Sequence, residues 1–359
     1  MRRSRRSQRP NRVLPALIAA ALVLAVVLVL LNQQEPAPLP PSTQGGSFEV
    51  HFIDVGQADS ALVICDNHYM LIDGGNAEDS DLVYAYLEQH GAQHLDCMVA
   101  SHAHEDHIGG LSGALNYATV DVAYCPVEEY NTKVFQNMVY YLGEQGKSLT
   151  IPTPGEKFSL GSAQVEILGP VKEYDDTNDT SIVLRIDYGE TSFLFTGDME
   201  KGAEADLIES GANLRATVLK AGHHGSDTSS SYQFIREVMP QYTVISVGEG
   251  NSYGHPSEEV LSRFRDAGTE VYRTDMQGHV IAMSDGKTVT FRTEKEADTA
   301  TNPTSGAPLQ TYIGNSSSKK FHLPDCASAK NIQEDKRVVF LTRLQATLQG
   351  YEPCGRCKP

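Results

Sequence analysis

His102, His104, Asp106 and His107 stand within six residues, behind the apolar run 96–100 and ahead of the pair Gly109-Gly110. No other feature limits the fold so tightly, because a chain that concentrates ligands like this must present them on one loop. The apolar run reads as a buried strand, which places the four side chains on the loop at its carboxyl end. In extended chain, His102 and His104 project the same way, while Asp106 and His107 turn toward a neighbouring point. That arrangement suits two adjacent metals better than one. Mixed imidazole and carboxylate donors suit zinc, iron or manganese. A solvated histidine-rich loop is the competing account and fits the density poorly.

Further along, the same grammar repeats. Strands are expected at 48–54, 60–65 and 69–72, then at 163–168, 181–187 and 191–195, with later ones at 216–220, 242–247, 271–273, 278–283 and 288–292. Helices are expected at 81–90, 131–145 and 201–210, and one opening after Ser257, a preferred type of N-cap residue. Several strands end in chemistry: Asp73-Gly74-Gly75 in a turn that aims a carboxylate, Thr196-Gly197-Asp198, His223-His224, and His255-Pro256. Ligands collected at strand ends from distant parts of an α/β chain are what a composite metal site needs.

These motifs, taken in order, resemble a known family. Asp54-Val-Gly-Gln-Ala-Asp-Ser60, Asp73-Gly-Gly75, Ser101-His-Ala-His-Glu-Asp-His107, Asn178-Asp-Thr-Ser181, Thr196-Gly-Asp198, Lys220-Ala-Gly-His-His-Gly-Ser226 and His255-Pro256 are similar to the metallo-β-lactamase fold. Within it they resemble the extracellular hydrolase domain of the ComEC competence proteins, over about residues 48–293. The resemblance implies an αββα sandwich and two divalent metals, zinc or manganese. One would sit on His102, His104 and Asp198, the other on Asp106, His107, Asp198 and a last histidine. His223 is the expected last ligand because it leaves the strand first, with His224 as the alternative. Two departures stand out. Ala58 occupies a place where the family commonly has Gly, and residues 108–197 contain no histidine for the first metal. Asp179 is then a candidate oxygen ligand, and Asn178, Asp179 and Ser181 are candidate substrate contacts. His224 and Ser226 are expected to orient phosphate.

The implied activity is hydrolysis of a phosphodiester, with DNA the leading substrate, by a metal-activated hydroxide. Asp106 is expected to be indispensable to catalysis. His255 either protonates the leaving oxygen or holds a phosphate oxygen; a structural histidine at a helix start is the other account. A phosphoesterase for a cell-surface or small-molecule ester is the alternative function, and a DNA-binding protein with an inert hydrolase domain the second.

Charge and hydropathy organise the remainder. Residues 1–12 carry six arginines and no acid, and 13–31 carry no charge at all. Nineteen helical residues span about 28 Å, close to the hydrocarbon core of a bilayer. A single-pass anchor with a cytoplasmic basic tail (1–31) is expected, leaving the hydrolase domain extracellular. Secretion follows instead if the segment is cleaved. Residues 32–47 form a Pro- and Gly-rich spacer, and 294–310 a second linker. Within the net charge of −17, residues 311–359 sum to +4 and residues 13–310 to −27. So acidic a body repels nucleic acid at long range, which argues against tight non-specific DNA binding.

Cys65, Cys97 and Cys125 are scattered singly and read as buried small hydrophobes. His322, Cys326, Cys354 and Cys357 instead pair at short spacings, which points to a structural Cys3His zinc site in a module at 311–359. Disulfide pairing is the alternative there. The module resembles the small Ada-type metal-binding modules, and its lysines and arginines either touch phosphates or form a solvated face. Protein partners are not legible.

Overall fold

The computed structural model describes residues 48–302, 311–324, 326–340 and 343–357. The apolar segment 13–31, the spacer 32–47 and residues 303–310 of the second linker lie outside the described residues. Among the described residues no helix is long and apolar enough to cross a membrane.

Two sheets face each other. In the first half of the chain run β1 (Phe48–Phe52), β2 (Ser60–Cys65), β3 (His68–Gly74), β4 (His94–Val99), β5 (Thr119–Tyr124) and β6 (Leu149–Thr150). The second sheet takes β7 (Lys157–Leu160), β8 (Ala163–Gly169), β9 (Val183–Tyr188), β10 (Thr191–Phe195), β11 (Val218–Lys220), β12 (Tyr242–Ile245) and β13 (Glu270–Arg273). The chain then returns to the first sheet as β14 (Val280–Ser284) and β15 (Val289–Thr293), so that the strand orders are β15-β14-β1-β2-β3-β4-β5-β6 and β13-β12-β11-β10-β9-β8-β7.

Alternation explains the layers. In β1, Phe48, Val50 and Phe52 enter the core between the sheets, where they meet Leu184 and Ile186 of β9 and Phe193 and Phe195 of β10. Residues two apart share a face, so Leu62 of β2 and Leu194 of β10 point outward into separate cores under the helices. Helices cover both outer faces and complete an αββα sandwich, as the motifs led one to expect.

Strands β3 to β6 are parallel, as are β10 to β13. Parallel neighbours need crossovers. These are supplied by α1 (Ser80–Gln89), α2 (Glu105–Ile108), α3 (Leu111–Tyr117), α4 (Lys133–Glu144), α5 (Lys201–Glu209), α6 (Tyr232–Val238) and α7 (Glu258–Ala267). Thr132 caps α4 by accepting from Phe135 N–H, and Phe135, Met138 and Leu142 form its buried stripe. Ser257 caps α7 by accepting from Val260 N–H, and Gly268, in the left-handed region, ends it. Six strand-to-helix loops open at the carboxyl ends of parallel strands, where open α/β sheets place their sites.

The second linker is tied down at its start. Glu294 and Lys295 N–H groups donate to His279 and Gln277 carbonyls, and Asn302 Nδ2 donates to the Leu261 carbonyl. Beyond it, β16 (Tyr312–Asn315), β17 (Lys320–His322), β18 (Arg337–Phe340) and β19 (Glu352–Pro353) form a sheet in the order β18-β16-β17-β19. Two short helices, α8 (Ala327–Lys330) and α9 (Arg343–Leu348), accompany it. Phe321, Phe340, Ala346 and Tyr351 make a small core of their own. A Cβ on Gly314 would lie 2.5 Å from the Phe340 ring, so only glycine lets the strand pass.

Candidate metal centre

The loop after β4 delivers the dense motif, and its two glycines explain how. A Cβ at Gly109 would lie 2.2 Å from Ala77 N, and one at Gly110 2.1 Å from Gly74 O. The loop is therefore pressed backbone to backbone against the Asp73-Gly74-Gly75 turn after β3. Asp73 holds φ +59°, a region asparagine and aspartate tolerate better than most residues. Its Oδ1 accepts from Ser101 N–H (2.7 Å), and its Oδ2 lies 2.9 Å from His107 Nδ1. With Nδ1–H donating there, His107 Nε2 faces Asp198 Oδ1 at 3.3 Å.

Asp106, His107, Asp198 and His224 each offer one ligand atom within 4.8 Å of one another. His224 Nε2 lies 3.2 Å from Asp106 Oδ2 and 3.7 Å from Asp198 Oδ2. Its Nδ1 faces the Ser246 carbonyl at 3.1 Å and Asp59 Oδ1 at 3.3 Å. Asp59 Oδ2 in turn accepts from Lys220 Nζ at 2.7 Å, both groups being buried. Each inner histidine thus leans on its own carboxylate, the arrangement by which proteins fix the tautomer of a metal-ligating imidazole.

Electrostatics express the same crowding. Burial disfavours the His107 imidazolium, but Asp198 and Asp73 outweigh it and hold the ring well above its ordinary value. Burial likewise opposes His224, yet Asp198 and Asp59 push it up to about 10. His102 is driven well below its ordinary value by burial and by the neighbouring His107. Burial would raise Asp198, and His107 and His224 pull it well down. Burial would raise Asp106, but the hydrogen bond from His224 together with the His107 and His224 charges lowers it.

His223 is not the inner histidine, contrary to the expectation from its place at the strand end. Both members of the pair are left-handed, His223 at φ 50°, ψ 49° and His224 at φ 50°, ψ 24°. Left-handed backbone at non-glycine residues is strained, and the turn it makes drives the second ring inward. His223 stays partly exposed, 3.6 Å from Asp198 Oδ2 and with Nδ1 3.2 Å from Thr228 Oγ1. Its ring faces that of His255 at 5.8 Å.

His102 and His104 do come together, with His102 Nε2 3.0 Å from His104 Nδ1. The structure brings no third donor to them in place of the missing histidine. Asp179, the candidate oxygen ligand, instead accepts from Glu200 N–H (2.9 Å). Ser181 is buried; its Oγ accepts from Asp198 N–H (3.0 Å) and sits 3.5 Å from His102 Nδ1. Ser226 is buried and bonded to Thr228. Asp179 Oδ1, Ser181 Oγ and Ser226 Oγ thus each carry a hydrogen bond within the scaffold. Asn178 Oδ1 and His255 Nδ1 differ: both are buried atoms without a hydrogen-bond partner.

The residues fit a metal. His107 Nε2 and Asp198 Oδ1 are likewise buried without hydrogen-bond partners, which is what ligand atoms aimed at a cation look like. Sequence reasoning assigned no role to Asp59 or Lys220 and only noted that Asp73 is aimed. Lys220 closes the short apolar strand β11 with its ammonium buried against Asp59.

In the tail module, His322, Cys326, Cys354 and Cys357 also bring one ligand atom each within 4.8 Å. All six cysteines of the chain are free thiols. Cys326 is lowered to about 6, where burial is outweighed by hydrogen bonds from Cys357 and His322.

Comparison with known proteins agrees with this geometry. The chain is 29% identical over 271 residues to ComE operon protein 3 of Bacillus subtilis, covering 70% of this chain and 35% of that protein. It is 34% identical over 228 residues to competence protein ComA of Neisseria gonorrhoeae, covering 63% and 30% respectively. It thus spans about a third of the length of these relatives. Among solved structures, the metallo-beta-lactamase fold protein YhfI of Bacillus subtilis aligns with a TM-score of 0.46 at 16% identity, covering 67% of this chain and all of that one. Residues 53–249 match the family model of the metallo-beta-lactamase superfamily, and the chain belongs to that superfamily.

Proposed function

We propose that this chain is a two-metal phosphodiester hydrolase whose substrate class includes DNA, held at the outer face of a membrane by its N-terminal segment. The buried charge carries the reading. Asp59, Asp73 and Asp198 are buried and Asp106 partly so, four carboxylates in adjoining clusters, while the Lys220 ammonium pairs with Asp59. Buried charge left uncompensated is strongly unfavourable. With neutral histidines the set is three units negative, too much for one divalent cation. Two cations leave one positive unit, the charge that a phosphodiester monoanion or a hydroxide brings. The name of one relative, a competence protein, supports taking DNA as the leading member of that class.

Bound there, two divalent cations supply Lewis-acid polarisation and an activated water. Asp106, His107, Asp198 and His224 would hold one of them, and His102, His104 and Asp198 the other. His223 and His255 face each other beside them, ring centres 5.8 Å apart. His255 Nδ1 and Asn178 Oδ1 are buried and unpartnered, so either would meet a substrate only by turning its side chain toward it. Burial and the neighbouring His223 lower the His255 pKa, which suits a phosphate contact better than a proton donor. In the tail, His322, Cys326, Cys354 and Cys357 hold one structural zinc.

Residues 48–359, loaded with Mn²⁺ or Zn²⁺, should hydrolyse a bis-aryl phosphodiester, and Asp106→Ala should abolish that activity. Turnover unchanged in Asp106→Ala would refute the assignment. Nicking of plasmid DNA separates a nuclease from a small-ester phosphoesterase.

A further inference from the structure

The tail module is not a bead on a string, and one side chain shows what it does. Asp266 lies near the end of α7 and is 2% exposed. Its Oδ2 accepts from Tyr232 O–H at 2.6 Å, and its Oδ1 lies 2.9 Å from Arg343 Nε, on α9 of the tail. Arg343 also donates to Ser262 Oγ of α7. The hydrolase domain thus contains a buried carboxylate whose close counter-ion comes from the other module.

Helix α7 is in turn bound to the loop that carries the inner histidine. Arg263, largely buried, donates through Nη1 to the carbonyls of Ser229 (2.8 Å) and Ser230 (3.2 Å), and both Nη atoms reach the Asp227 carbonyl at 3.4 Å. Ser257 N–H, at the start of the helix, donates to the Gly225 carbonyl (2.9 Å). Tyr232, which binds Asp266, opens α6 directly after that loop. The loop needs outside support, because it holds two adjacent residues in the left-handed region.

We propose that Arg343 is a positioning residue for the metal centre: by neutralising Asp266 from the tail module, it holds α7 against the loop bearing His223 and His224. Removing the cation leaves a buried carboxylate unpaired. The relief available is movement of the end of α7 toward water, and that movement loosens the contacts from Arg263 and Ser257 to the loop. Because the proposal rests on the hydrolase reading only for its consequence, its test is chosen to need no turnover.

The test is hydrogen exchange, followed by mass spectrometry, on the full chain as wild type, Arg343→Ala, Asp266→Asn and the double variant. Amides of Ser226, Ser229, Ser230 and Ser231 are all hydrogen-bonded, so loosening is measurable. Arg343→Ala should speed exchange several-fold in peptides covering 222–231 and 257–267, leave β1 to β3 unchanged, and weaken Mn²⁺ binding at the hydrolase site about tenfold. Asp266→Asn alone should perturb little, since the amide needs no cation and both neighbours stay matched when its oxygen faces Arg343 Nε–H and its NH2 donates to the Tyr232 hydroxyl. Added to Arg343→Ala, it should restore slow exchange. Faster exchange confined to 311–357, or no rescue in the double variant, overturns the proposal. A wild type that binds Mn²⁺ but hydrolyses no phosphodiester would instead count against the function and leave this test intact.

Discussion

Asp73→Asn isolates the support beneath His107. Both groups that reach Asp73 are N–H donors, one to each oxygen: Ser101 N at 2.7 Å and His107 Nδ1 at 2.9 Å. An amide has one acceptor oxygen, so one donor must go unmatched whichever way the side chain is turned. The Ser101 N–H is fixed in the backbone and takes that oxygen. The NH2 then faces His107 Nδ1, which can accept only if the ring proton moves to Nε2, the atom aimed at Asp198. The variant therefore stabilises the tautomer that cannot bind metal. Asparagine keeps the left-handed backbone at φ +59°, so strain does not confuse the result. Losing one buried hydrogen-bond match costs about 1–3 kcal/mol, and loss of such a supporting carboxylate weakens metal affinity about 10- to 100-fold. Competition with a chromophoric chelator measures that affinity, and melting of the metal-free protein separates any loss of fold. Affinity within threefold of wild type would refute the argument.

Other outcomes follow from the same geometry. His224→Ala should remove the tighter of two unequal Mn²⁺ binding steps, whereas His223→Ala should keep both and lower turnover; calorimetric titration reads the steps. Metal uptake near neutral pH should release about two protons, from His107 and His224, because both are held above their ordinary value in the metal-free protein. Titration in buffers of different ionisation enthalpy would show this, and heats independent of buffer would exclude it. Away from the site, His51 is buried between Tyr86 O–H (2.9 Å) and Glu49 (3.0 Å), and burial followed by His90 lowers it from 6.5 to about 4. The folded state then refuses a proton that the unfolded chain accepts. Stability is present above pH 6.5 and is lost as pH falls toward 4, by at most about 3 kcal/mol. Urea unfolding of metal-free protein across that window should show the slope, and His51→Asn should flatten it.

Much of this molecule is legible before any coordinates, for reasons that differ by residue. His102, His104, Asp106, His107 and Asp198 announce themselves because metal chemistry accepts few side chains and strand ends are the place to put them. Choosing between His223 and His224 fails because order of departure from a strand assumes extended chain, and two left-handed residues reverse which ring turns inward. Ser181 and Asp179 are ambiguous in sequence for another reason. A polar residue beside a site can serve the substrate or the scaffold, and only the partner of its oxygen tells which. Asp59 and Lys220 are quieter still, since an ion pair 161 positions apart in the chain leaves no local pattern.

Arg343 is the extreme case: in sequence it is one more cation in a basic tail, and the +4 of that tail invites a nucleic-acid reading. Placed against Asp266, its charge is already spent within the molecule. Lys320 is likewise paired with Glu352 at 2.6 Å, and Lys319 lies over the Tyr351 ring at 4.5 Å. Arg337 Nη1 also donates to the Ala329 carbonyl (3.3 Å), so among the described residues at least four of the module's cations are engaged internally, which shrinks any phosphate-binding face and shifts weight toward a structural tail. The acidic body points the same way: attraction for a polyanion must come from metals at the site rather than from a surrounding positive surface. Such an enzyme should lose little affinity as salt rises, since few counterions are released on binding. A DNA affinity falling steeply between low and physiological salt would show that cations outside the metal centre bear the load.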